Sequence, residues 1–185
     1  MSIIWVVMRF LFSVLIAVIL VGSPYAQESR DPPIQDGFGD LRLGMSIEEA
    51  KVALGVDPNF RYRGDPDVSL LPGTGLPIIQ TAGAAFIDRA ILQFTENQLY
   101  VLTLILNANR LDYFGVFSEF QNRYGDPDRL DPGIAVWESE TVILSVERPL
   151  TVKYVDAELF QAVVDEGVLE RSLESLTRER FLEQL

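Results

Sequence analysis

With 185 residues, 27 acidic against 15 basic side chains and neither His nor Cys, the chain lacks the groups on which most side-chain catalysis rests. Ser-His-Asp and Cys-His arrangements, the usual zinc and haem sites and disulfides are all excluded. A formal charge of −12 repels nucleic acid and anionic lipid headgroups, so proteins or cations are the expected partners, and a hydrophobic content of 48% suffices for one core or two small subdomains sharing a sheet.

The chain opens with a single charge, Arg9, before the apolar run from Phe10 to Gly22 and an abrupt return to polar sequence in SPYAQESRD. That is the layout of a secretory signal peptide spanning residues 1–26, with cleavage after Ala26 although Pro24 stands where a small aliphatic residue is usual. The alternative is an uncleaved anchor, because Ile3 to Met8 lengthens the apolar stretch toward the ~20 residues that span a bilayer. Both readings put the folded part outside the cytoplasm. A lipid anchor would need a Cys after the run, and a domain without disulfides suits a periplasm-like space.

Residues 27–40, QESRDPPIQDGFGD, read as an extended linker, and residues 41–165 as the folded domain. The stretch Arg42 to Gly55, RLGMSIEEAKVALG, predicts a short helix. Ser46 and Glu49 have capping-box spacing, Ile47, Ala50 and Leu54 share a face, Gly55 supplies a left-handed exit, and Asp57-Pro58 prevents resumption. The Pro- and Gly-rich stretch around 64–83 reads as a long loop, either functional or of no consequence. FIDRAILQF and LYVLTLIL, separated by TENQ, form the clearest hairpin, Phe86 to Leu106. A second helix from Leu111 to Tyr124 carries Tyr113, Phe117, Phe120 and Tyr124 along one face and stops at Gly125-Asp126-Pro127. That aromatic stripe reads as a face packed on a sheet rather than a ligand cage.

Three strands follow, IAVWE, TVILSVE and LTVKYV, with turns at Ser139-Glu140 and Arg148-Pro149. Helix, Gly stop, Pro and β-meander thus occur twice, which leaves a tandem duplication open. The tetrapeptide GDPD also occurs twice, at 64–67 and 125–128, but at different distances from the preceding helix. The C-terminal stretch, with a helical extension over 166–185, places Leu169, Leu173 and Leu176 on one stripe and Phe181, Leu182 and Leu185 on another. More apolar residues than one core face needs point to a partner, so Leu169, Leu173, Leu176 and Phe181 are the candidate partner-binding residues.

Motifs for chemistry are sparse. Glu138 and Glu140 beside Trp137 could be read as a glycosidase pair, but acidic side chains at a hairpin turn face water. Asp126, Asp128 and Asp131 in GDPDRLDPG suggest calcium, yet Asp131 stands where an EF-hand requires Gly and Trp137 where it requires Glu. GFGDLR and GTGLPI each lack the third Gly of a dinucleotide loop. The expectation is therefore no catalytic residue, no cofactor and no metal.

The run Leu43-Gly44-Met45-Ser46-Ile47-Glu48-Glu49-Ala50, with Leu54-Gly55 and Pro58 beyond it, resembles the signature of the SmpA/OmlA-type outer-membrane-assembly lipoproteins. Their fold is similar to half of the β-lactamase-inhibitor-protein fold. YGDPD, VWESETVILSV and LTVKYVD resemble the ends of exported domains of the same kind. The resemblance implies an α+β fold, short helices packed on one face of an antiparallel β-sheet, and an envelope scaffolding role; it carries over no functional residue. The chain departs from it in lacking the lipidated Cys and in having a second helix-plus-sheet half.

The function expected is a non-catalytic accessory or adaptor subunit of an envelope assembly, in outer-membrane assembly or a motor or secretion apparatus, with protein partners and membrane contact only through an uncleaved N-terminal segment. Two rivals remain. A periplasmic binder of a small or carbohydrate ligand would place Trp137 in an open pocket, and an inhibitor of an envelope enzyme would present a rigid loop over 64–83.

Overall fold

The computed structural model describes residues 33–167. The signal segment, residues 27–32 of the linker, and Leu169, Leu173, Leu176 and Phe181 lie outside the described residues. The first elements are two short paired strands, β1 (Gly37–Phe38) and β2 (Leu41–Arg42), and the helix α1 (Ile47–Val56). Next come β3 (Val68–Leu70), β4 (Pro77–Ala82), β5 (Ile87–Thr95) and β6 (Gln98–Leu106). The helix α2 (Tyr113–Tyr124) leads into β7 (Arg129–Asp131), β8 (Ile134–Glu138), β9 (Val142–Glu147) and β10 (Thr151–Asp156), and a third helix, α3, runs over 157–167. Among the described residues no helix is long and apolar enough to cross a membrane.

The strands form an antiparallel eight-stranded sheet in the order β3-β4-β5-β6-β10-β9-β8-β7, so the fold is α+β. Two four-stranded meanders meet where β6 pairs with β10. Ile79, Leu92, Leu102, Tyr154, Leu144 and Trp137 are successive cross-strand partners from β4 to β8. All six are buried in the main core, together with Ala50, Ala53 and Leu54 of α1 and Tyr124 of α2. Because side chains alternate along each strand, this row forms a single apolar face, and each such side chain contributes about 1.5–3 kcal/mol by leaving water. Burial pushes the Tyr154 hydroxyl up to about 12. The opposite face interleaves Ile78, Val101 and Val136 with Gln93, Thr103, Ser145 and Lys153, and there Lys153 pairs with Glu147 at 2.8 Å.

Several expectations hold. Ser46 and Glu49 form the capping box, and the β5–β6 hairpin turns at Glu96 and Asn97, both with positive φ, the geometry that suits the twist of paired strands. Gly125 ends α2 at φ 82.

Others are corrected. Helix α1 begins at Ile47, since Arg42 belongs to β2 and Gly44 to Ser46 form the approach. Gly55 lies inside the helix and provides no left-handed exit. The chain leaves through Asp57 in extended conformation, φ −78, where its carboxylate accepts from both the backbone and side-chain nitrogens of Asn59. That local turn satisfies the exit without a residue of positive φ. The end of the presumed linker is also folded: Gly37 and Phe38 pair with Arg42 and Leu41, and Phe38 meets Phe60 edge-to-face at 6.1 Å.

The stretch 64–83 is not a loop but the outer edge of the sheet. Ile78 and Ile79 are both buried, on opposite faces of β4, and this consecutive apolar pair hides the alternation that would have announced a strand. The segment Pro72 to Gly75 is the turn between β3 and β4, closed by the Leu71 N–H to the Leu76 carbonyl at 2.7 Å and the Gly75 N–H to the Leu71 carbonyl at 2.9 Å. The two GDPD segments are alike where it matters for the sheet. Each immediately precedes the first strand of a meander, and Gly64 and Gly125 share φ values of 83 and 82.

The edge is anchored by Asp67, whose side chain is fully buried. It accepts from the Arg63 backbone N–H at 3.0 Å, from Arg63 Nε at 2.9 Å and from the Arg63 terminal nitrogen. Burial alone would raise its pKa, but the Arg63 side chain and backbone and the Thr81 hydroxyl outweigh that and hold it below the usual aspartate value. A carboxylate with a depressed folded pKa stabilises the protein above its unfolded value of ~3.9 and loses that contribution as pH falls through the folded pKa. Asp67→Asn should therefore cost about 1.5–3 kcal/mol at neutral pH. In urea unfolding followed by Trp137 fluorescence, the gap between variant and parent should close as pH drops from ~5 toward ~2.

Candidate interaction groove

Helix α2 is capped by Asp112, whose Oδ1 accepts from the Gly115 N–H at 2.9 Å, the usual way of satisfying a first-turn donor. Its inward face is the aromatic stripe. Tyr113 stacks on Phe117 at 6.3 Å, and Phe117 and Phe120 flank Trp137 at 5.8 and 5.9 Å. Phe120 and Tyr124 lie 6.0 Å apart. Trp137 is 1% exposed and its indole N–H donates to the Gly125 carbonyl at 2.9 Å. One side chain thus ties the end of α2 to the middle of β8.

Phe114 does not belong to this stripe. It is 73% exposed on the flank of α2, and Leu130 of β7 is 63% exposed. Leu130 pairs with buried Ala135, so it continues the core face past the point where that face is covered. Between them runs an open groove of about 720 Å³, completed by Tyr113, Phe117 and Pro132 and bounded by Asp112, Asp131 and Arg148. Arg148 is clamped from two directions: its Nε donates to the Pro132 carbonyl at 2.9 Å and its guanidinium sits 4.2 Å from the centre of the Tyr113 ring. The Tyr113 hydroxyl in turn donates to the Val146 carbonyl at 3.4 Å. The groove is therefore prebuilt, with apolar walls, a fixed cation and two carboxylates at its boundary. Such a surface can hold an apolar side chain and orient its polar neighbours.

Of the acidic residues singled out from sequence, only Asp131 reaches the groove. Glu138 and Glu140 are exposed at the β8–β9 turn. The carboxylate of Asp126 accepts from Gln121 and that of Asp128 from the Glu138 backbone N–H, each at 2.7 Å, whereas Asp131 lies at the groove. Among the described residues no group of three or more His, Cys, Asp or Glu side chains is arranged to hold a metal ion. Sequence reasoning missed Phe114, Leu130 and Arg148. The signal for Phe114 was present, since a large aromatic outside an aromatic stripe on the same helix has no core to enter.

A family match to the TP0088 domain covers residues 36–166. The chain belongs to the TP0088 domain family. The match begins one residue before β1 and ends within α3, so the TP0088 domain contains both helix-and-meander halves and the whole groove. No match is found among curated proteins or among solved structures.

Since Phe114 of the TP0088 domain contributes little to its core, Phe114→Ser should leave stability within about 0.5 kcal/mol of the parent. Phe117→Ala, three residues on and packed against Trp137, should cost about 2–4 kcal/mol. Urea midpoints of the two variants check the contrast.

Proposed function

We propose that this TP0088-domain chain is a non-catalytic adaptor of the cell envelope that holds a protein partner through the α2–β7 groove. The observation that carries the reading is the pair Phe114 and Leu130, two large apolar side chains left in water beside a prebuilt, charge-framed groove. Exposed apolar surface of this kind marks interaction sites. Export is the part of the proposal that rests on sequence: Arg9, the apolar run and the polar restart after Ala26. Outer-membrane assembly and a motor or secretion apparatus remain the candidate settings.

The same reading takes the fold as a tandem duplication with the helices on one sheet face. Support comes from the mirror order of the strands about the β6–β10 junction, the matching GDPD geometry, and a buried cluster shared by α1 and α2. The rival small-ligand reading is weakened by the burial of Trp137, which leaves no aromatic platform of the expected kind.

Replacing Phe114 by a photo-crosslinking aromatic residue, in the full chain expressed in its native envelope, tests the adaptor. A discrete protein adduct should form from position 114 and not from position 140, and should vanish when Leu130→Asp is added. The absence of any adduct, or adducts indifferent to Leu130→Asp, would remove the groove from the function. Truncation after Asp165 separates the groove from the C-terminal segment: an adduct lost on truncation assigns the partner to that segment instead.

A further inference from the structure

A second docking face lies on α1. Val52 and Val56 are 69% and 72% exposed, one turn apart on the side of the helix away from buried Ala50 and Leu54. Branched side chains at exposed helical positions lose rotamer freedom and gain no burial, so intrinsic helix stability does not account for them. With Met45 and Ala53 they line an apolar depression of about 510 Å³ whose polar boundary is Asp40, Glu48 and Glu49.

No basic residue lines this depression. Among the described residues Asp40 makes no ion pair, and Glu49 is engaged by the backbone N–H and hydroxyl of Ser46 rather than by a cation. Glu48 alone has one, Lys51 at 2.7 Å. The last turn of α1 also carries no basic residue, so the negative end of its dipole lies uncompensated beside Val56. The surface is apolar at the centre and negative around it, in a chain of formal charge −12.

We infer that the Val52–Val56 face of α1 docks a cationic amphipathic helix of a partner protein, one with apolar side chains a helical turn apart and Lys or Arg beside them. The two valines offer the i, i+4 spacing that an apposed helix reads, and the carboxylates supply charge complementarity that steers such a segment and rejects an acidic one. This face is separate from the α2–β7 groove, and the inference does not depend on the function proposed for that groove.

The probe is a fluorescein-labelled synthetic peptide with Leu at helical i, i+4 and i+7 positions and Lys elsewhere, titrated with the full chain and read by anisotropy. A counter-probe carries Glu in place of every Lys. The Lys peptide should bind and the Glu peptide should not. The double variant Val52→Ser/Val56→Ser should weaken binding about tenfold. Asp40→Asn, which lies outside the helix and leaves its packing intact, should weaken it about threefold and flatten its salt dependence. Phe114→Ser should change nothing. Loss of Lys-peptide binding in Phe114→Ser with the valine and Asp40 variants unaffected would place the peptide in the α2–β7 groove and overturn the inference. Binding of the Lys peptide that stays within about twofold in both the valine and the Asp40 variants would mean that diffuse negative charge holds it, and would overturn the inference. Equal binding of the Glu peptide would overturn it as well.

Discussion

The pairing of β6 with β10, from Thr151↔Ile105 to Val155↔Val101, converts two four-stranded meanders into one sheet, and the rest of the structure depends on it. Each meander alone would end in a strand whose core-facing residues are Leu102 and Leu104 on one side or Val152 and Tyr154 on the other, all of them buried in the assembled sheet. Left as an edge, either strand would expose apolar side chains and unpaired backbone groups together. Joined, they carry the apolar row without a break from Ile79 to Trp137. Strands that meet across about fifty residues of sequence must close that loop before the contact is rewarded, so the junction contributes to the stability of both halves while being the least local feature in the fold.

At the outer limits of the sheet the same logic is resolved differently. β3 and β7 are three residues each, and the short edges are flanked by prolines and charged residues, which discourage pairing with other chains. The β3 edge is fixed by Asp67 and Arg63. Near the β7 edge, Trp137 on the neighbouring strand β8 and the aromatic stripe of α2 hold the helix over the core face. Helix α2 does not reach past Ala135, so Leu130 and Phe114 remain in water. The groove is what is left where a rigid aromatic pack stops one strand short of the sheet edge.

Charge is distributed to match. Most carboxylates among the described residues are exposed and act locally: Glu49 caps, Asp112 caps, Asp57 and Asp128 close turns. Asp67 is the buried exception and has a partner, as a buried charge requires. The negative field is therefore a property of the surface, and the two apolar openings, on α1 and beside α2, each sit within it. Arg148 distinguishes them, since it places a fixed cation in one and the other has none at its lining.

Much of this organisation was legible in residue order, because its causes are local. The capping box of α1, the stripe from Tyr113 to Tyr124, the stop at Gly125 and the two strands around Thr95 to Gln98 each follow from spacing within one or two turns. Where a local alternative competed, reading failed: Asp57 with Asn59 displaced Gly55 as the end of α1, and Ile78-Ile79 concealed β4 inside a Pro- and Gly-rich stretch. The sequence by itself determined the two helices, the β5–β6 hairpin and the β8–β10 meander, and that no His or Cys chemistry is available, since backbone preference and side-chain inventory need no neighbour. Only the tertiary structure decided that the two meanders share one sheet, and that Phe114, Leu130, Val52 and Val56 stay exposed while Trp137 does not. Burial depends on what the rest of the chain brings alongside a residue, and residues as distant as Leu104 and Val152 are brought together by pairing that no local pattern encodes.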